Sequence, residues 1–297
     1  MSKHKANARP APTLQEQLPE LRPGQSVPLL QELHILTREG KLNQDTRRKL
    51  KQVYHLVQFI EPLLATVLKE RGDVTLADHG AGKSYLGFIL YDLFFKAKPV
   101  GWVYGVESRA ELVEKSTALA ARLGFERMRF LATTVQQALT DPGLPPSFDV
   151  VTALHACDTA TDDAIAFGLA KQARHMVLVP CCQAEVASVM RSSKALNLSR
   201  TPLAELWRHP LHTREFGSQI TNVLRCLQLE AHGYSVTVTE LVGWEHSMKN
   251  ELILASKTGP GHRTQRERAG ERLQQVLDEL GLQALRSRFG VAEQTPA

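Results

Sequence analysis

Hydrophobic positions follow two different periods along this chain. Between Asn43 and Glu70, the apolar residues Leu50, Val53, Leu56, Val57, Ile60, Leu63, Leu64, Val67 and Leu68 recur at helical spacing and predict one long amphipathic helix. Pro62 lies inside that pattern and predicts a kink or a split, because proline removes a helix donor. A shorter amphipathic stretch covers Leu29–Leu36. From Val74 onward the pattern changes to short apolar runs, at Val74–Ala77, Gly101–Val106, Met128–Leu131, Phe148–Leu154 and His175–Val179. Helical segments separate them: one opening at Lys83, then Arg109–Leu123, Thr133–Leu139 and Asp163–Lys171. This β-α alternation predicts a parallel sheet.

The rhythm breaks at Glu185–His232, which is helical in pattern and carries Trp207, Arg191, Lys194, Arg200, Arg208, His209, His212 and Arg214. It reads as a helical insertion laid over the C-terminal edge of the sheet. Two further strands, Tyr234–Val242 and Glu251–Ala255, are joined by a short connection and predict an antiparallel pair. The expected fold class is α/β: a Rossmann-like, seven-stranded, mainly parallel sheet with a terminal antiparallel hairpin. The expected domain plan is a disordered basic tail at 1–27, an N-terminal helical extension at 28–72 and a ligand-binding domain at 73–258, with the insertion at 185–232. A linker with a C-terminal helix (Ala269–Leu285) follows at 259–297.

Composition narrows the function classes. The chain has 297 residues, 43% hydrophobic and 23% charged, with a formal net charge of +5. That excess permits an anionic partner such as RNA. No apolar run is long enough to span a bilayer. The basic N-terminus has no apolar core behind it, so no secretory signal is expected. Cys157, Cys181, Cys182 and Cys226 show no disulfide framework, which is consistent with reduced thiols in a cytoplasmic protein. Metal binding is not expected, because the adjacent Cys181 and Cys182 lack a second ligand pair at zinc spacing.

The chemistry is expected around Val74–Leu90, where a strand runs into the turn Asp78-His79-Gly80-Ala81-Gly82 and then a helix. Glycines there let backbone approach a ligand, and a helix start offers unpaired N–H groups. Ala77, Gly82, Lys83 and Ser84 also fit a relaxed phosphate loop. Asp78-x-Gly80-x-Gly82 equally fits the turn of S-adenosylmethionine (SAM) enzymes. The second strand ends at Glu107, where a carboxylate can accept from both ribose hydroxyls. No strand ends in a convincing Mg²⁺ carboxylate, and the next glycine, Gly87, departs from the dinucleotide spacing. SAM is therefore the expected cofactor, with the phosphate-loop NTPase as the minor alternative. Candidate cofactor contacts are Asp78, His79, Gly80, Ala81, Gly82, Glu107, Ser108, Thr133, His155 and Cys157.

Three motifs in order carry a resemblance. His155-Ala156-Cys157-Asp158-Thr159-Ala160-Thr161-Asp162 resembles the His-x-Cys-Gly-x-Ala-Thr-Asp signature of the eukaryotic tRNA 2′-O-methyltransferases that act on the acceptor stem. Asp78–Lys83 resembles their SAM turn, and Pro180-Cys181-Cys182-Gln183 their strand ending in Cys-Cys. The chain also resembles the wider methyltransferase-domain proteins related to them. Asp158 stands where the signature has Gly, and Gln183-Ala184 where the tRNA enzymes favour His-His. The resemblance implies a class I SAM-dependent methyltransferase, with RNA as a possible partner. Candidate catalytic residues are His155, Asp158 and Asp162, with His155 placed to act as a base. A protein or small-molecule substrate, and a SAM-fold module without turnover, remain open alternatives.

Overall fold

The computed structural model describes residues 18, 20–154, 156–180, 183–192, 201–241, 251–259 and 261–290. In chain order its helices are α1 (Val27–Glu32), α2 (Gln44–Arg71), α3 (Tyr85–Leu90), α4 (Ala110–Arg122), α5 (Val135–Thr140), α6 (Thr159–Ala170), α7 (Glu185–Ser192), α8 (Pro210–Ala231) and α9 (Arg263–Glu279). The strands are β1 (Thr75–His79), β2 (Trp102–Glu107), β3 (Met128–Ala132), β4 (Val150–Leu154), β5 (His175–Val179), β6 (Tyr234–Glu240) and β7 (Glu251–Lys257).

The strands form one seven-stranded sheet in the order β3-β2-β1-β4-β5-β7-β6. The first five are parallel, and β7 runs antiparallel between β5 and β6. The predicted fold class is what the chain adopts. The order reverses direction at β1 and β4, so the C-terminal ends of those strands flank a crevice in which such sheets bind ligands.

Three apolar layers fix the sheet. One face packs against α1 to α4, through residues such as Leu29, Leu56, Ile60, Phe88 and Phe95. The other face packs against α5, α6 and the end of α8, through Ala138, Phe167 and Leu229. A third layer joins α7, α8 and α9 through Val186, Met190, Leu224, Leu273 and Leu277. Each fully buried leucine among these contributes on the order of 2 kcal/mol.

Several boundaries differ from the pattern-based expectation. Leu18 and Leu21 are buried in the first layer, and Gln25 is buried beside Tyr54, so residues 20–27 pack rather than trail as a tail. Helix α2 runs unbroken through Pro62 for 28 residues. The lost donor costs about 3 kcal/mol, but Ile60 and Leu64 on either side are fully buried and hold both halves in place. The helix after the glycine turn starts at Tyr85, not Lys83, because Ser84 is left-handed (φ 50°). It then loosens into a π-helical turn, Tyr91–Phe95, that sequence spacing does not reveal. The C-terminal helix begins upstream of its predicted start, at Arg263. The 185–232 segment is only partly an insertion, since the end of α8 is the crossover helix that returns the chain to β6.

Candidate active site

The site grows from the ends of β1 and β2, which pair in parallel with Asp78 opposite Gly105 and His79 opposite Val106. Beyond β1 the turn folds back over β2: the Gly80 and Ala81 N–H groups both donate to the Val106 carbonyl, at 2.9 and 3.2 Å. Gly80 (φ 63°) and Gly82 (φ 57°) adopt left-handed backbone there, which glycine reaches without Cβ strain.

Asp78 is buried and faces inward. Its carboxylate accepts from the Thr152 hydroxyl at 2.9 Å and the Ser84 hydroxyl at 3.1 Å. Burial pushes its pKa up to about 6, against the opposing pull of the Thr152, Ser84 and Gly87 donors. Asp78 therefore braces the turn from below. Gly87 is needed for this, because a Cβ there would meet the Ser84 Oγ at 2.5 Å. His79 points to the other face, with its ring 5.6 Å from that of Phe167. Burial drives its pKa down to about 4, opposed by Glu107, and neither ring nitrogen has a hydrogen-bond partner.

Glu107 ends β2 and is 7% exposed. Its Oε2 accepts from the Gly82 N–H at 2.8 Å and Arg109 Nη2 at 3.2 Å. Its Oε1 accepts from the Arg109 N–H at 3.0 Å and Arg109 Nε at 2.9 Å. Burial pushes this carboxyl up, but the Arg109 side chain and the Arg109 and Gly82 N–H groups together hold it down at about 2. It is an anion at every physiological pH, aimed across the glycine turn. Ser108 is exposed beside it, its hydroxyl 3.4 Å from Oε1. Thr133, at the end of β3, is buried, and its N–H donates to the Glu107 carbonyl. The turn and Glu107 thus meet in one place, as the sequence predicted.

The loop after β4 departs from expectation. Asp158 adopts φ 50°, ψ −121°, a conformation favouring the glycine that the resembling signature carries at this position. Its carboxylate caps the start of α7, accepting from the Ala184 N–H at 3.0 Å and the Glu185 N–H at 3.4 Å. Asp162 is buried in a two-bond pair with Arg225 of α8, at 2.7 and 2.8 Å. Arg225 also donates to the Asp158 carbonyl and to Asn222. Asn222 accepts from Gln183, whose carbonyl oxygen takes the Ser218 hydroxyl, and donates to Glu251. In the structure the carboxylates of Asp158 and Asp162 hold loops: the first bonds the start of α7 and the second pairs with Arg225. Cys157 is exposed in the same loop. His155, Cys181 and Cys182 lie outside the described residues.

Arg109, Thr152 and Arg225 were not singled out from the sequence, and Ser84 was named only as part of the alternative phosphate loop. Arg225 carried one readable signal: it falls on the buried face of a helix otherwise lined by Leu224 and Leu229. Its partner lies 63 residues away, where no local pattern points. Among the described residues, no group of three or more His, Cys, Asp or Glu is placed to hold a metal ion. No described helix is long and apolar enough to cross a membrane.

The start of α2 and the loop before it carry a basic face. Arg38, Lys41, Arg47, Arg48, Lys49 and Lys51 stand beside Glu39 and Asp45, all eight are exposed, and Arg47 pairs with Glu20 at 3.1 Å. Yet Glu32 pairs with Arg122 at the end of α4, and Asn43 shares a groove with Arg122 and Leu123. That end of α4 leads into β3, so this basic face lies toward the N-terminal edge of the sheet, opposite the glycine turn.

A profile described as a methyltransferase domain matches residues 48–189, which include the glycine turn, Glu107 and the loop after β4. No match was found among curated proteins. Similar solved structures include an rRNA methylase from Streptococcus thermophilus, with 10% identity, TM-score 0.42, 68% of this chain and 96% of that chain covered. Magnesium protoporphyrin IX methyltransferase from Synechocystis PCC 6803, with bound S-adenosylhomocysteine (SAH), has 14% identity, TM-score 0.44 and coverage of 78% and 95%. A putative O-methyltransferase from Klebsiella pneumoniae has 14% identity, TM-score 0.44 and coverage of 82% and 94%.

Proposed function

With a SAM-dependent methyltransferase domain over residues 48–189 as the premise, we propose that this chain methylates RNA. The observation that carries the cofactor half is the ionised, nearly buried Glu107 facing the Gly80–Gly82 turn. SAM supplies a methyl group already activated by its sulfonium, so the protein's main task is alignment. Glu107 holds the ribose hydroxyls, and Gly80 and Gly82 let backbone close on the ligand. Asp158, Asp162 and Arg225 tie the loop after β4 to the starts of α6 and α7 and to α8. His155 is the proposed base for a ribose hydroxyl, which needs one to lose its proton.

The RNA half is supported by the His155–Asp162 motif and by the net charge of +5. The exposed basic face of α2 holds RNA away from the reacting atoms, on the far edge of the sheet. Incubation with SAM labelled in its methyl group, followed by separation of RNA from protein, tests the substrate. Label that ribonuclease removes is expected, with binding that weakens steeply as salt rises. Label found only in protein or in small molecules would reject the RNA reading. His155→Ala is expected to lower turnover; unchanged turnover would remove it as the base.

A further inference from the structure

A carboxylate offers about four acceptor positions, and four close donors fill those of Glu107, with the Ser108 hydroxyl farther off at 3.4 Å. Two are taken by backbone: the Gly82 N–H on Oε2 and the Arg109 N–H on Oε1. These donors are fixed by the turn and by the start of α4. The other two are taken by the Arg109 guanidinium, Nε on Oε1 and Nη2 on Oε2. A ribose brings two neighbouring hydroxyl donors, the same number and the same forked spacing. The guanidinium also lies where a ligand on the turn must enter, since a Cβ on Gly82 would sit 3.8 Å from Arg109 Nη2. The Arg109 side chain is 61% exposed, so it can swing into water without unpacking anything.

We propose that Arg109 is a latch on the ribose seat, which the cofactor must displace to reach Glu107. The proposal rests on the reading of Glu107 as the ribose acceptor. The latch keeps a buried anion paired while the seat awaits its ligand, and it sets cofactor affinity by competing for the same oxygens. Salt screens an ion pair that involves an exposed partner, so moderate salt loosens the latch. Cofactor affinity then rises with salt, the reverse of the trend expected for RNA.

Calorimetric titration with SAH at low and moderate salt tests this on wild type, Arg109→Ala, Arg109→Lys and Glu107→Ala. Arg109→Ala is expected to bind SAH about fivefold more tightly at low salt, the equivalent of about 1 kcal/mol. Its affinity is expected to be independent of salt, while that of wild type climbs toward it. Arg109→Lys, a cation without the fork, falls between them. Equal or weaker binding by Arg109→Ala, with Glu107→Ala still impaired, overturns the latch and leaves the ribose seat standing. Undiminished binding by Glu107→Ala overturns both.

Discussion

Asp78 and Glu107 stand at the C-terminal ends of neighbouring strands, both nearly withdrawn from water, yet they titrate in opposite directions. Asp78 meets hydroxyls and one N–H but no cation, so burial wins and its pKa rises to about 6. Glu107 meets two N–H groups and a guanidinium, so its partners win over burial and hold it at about 2. The first turns inward and organises the turn. The second faces across the turn and remains a charged acceptor. An acidic residue at a strand end is thus not in itself an ionised acceptor; its donor set decides whether burial or its partners win.

A third buried carboxylate gives the contrast its largest test. Asp162 relies on Arg225, which is wholly buried. Arg225→Met leaves that carboxylate in the interior without its two-bond partner and is expected to cost about 3–5 kcal/mol, measured by urea unfolding. A loss under about 1 kcal/mol would mean the pair behaves as a solvated one.

Asp78→Asn comes next. A carboxyl whose folded pKa is raised from 3.8 to about 6 binds more protons folded than unfolded. Its contribution is therefore fully present below pH 3.8 and is lost as pH rises through 6. The Asn variant is expected to gain nothing at low pH and about 3 kcal/mol above that window relative to wild type. His79, lowered to about 4, works in the opposite sense as pH falls, but it is common to both proteins and cancels in the difference. A difference that stays flat across pH would contradict the burial argument.

Glu107→Ala should leave the fold intact and weaken SAH roughly thirtyfold, about 2 kcal/mol for the lost charged hydrogen bonds. The smallest effect is expected from Asp158→Gly. It relieves a backbone conformation that costs about 1–3 kcal/mol in a non-glycine residue, but removes the cap on α7, worth about 1 kcal/mol. The net change in melting should be small. A large loss would mean the cap, not the backbone, dominates that loop.

The sheet was largely legible in the sequence because its signals are local. Five apolar runs alternating with helices, a glycine turn after β1 and an acid ending β2 each lie within a few residues. What stayed hidden was long-range or energetic. Pro62 looked like a break because spacing does not reveal that Ile60 and Leu64 are buried on both sides of it. The loop contacts of Asp158 and Asp162 stayed hidden because their partners, Ala184 and Arg225, arrive from distant elements. Arg109 looked like the first residue of a helix, since nothing in its neighbourhood told which way its side chain turns. Leu18 and Leu21 were outweighed by the polar residues around them.

Whether Glu107 receives the cofactor's hydroxyls is tested most directly by SAH titration of wild type against Glu107→Gln. The amide keeps an oxygen for the Gly82 N–H but loses the charge and one acceptor oxygen. SAH binding by wild type, weakened at least about tenfold in the folded variant, is the predicted result. Equal affinity in the two proteins would contradict it and place the ribose elsewhere.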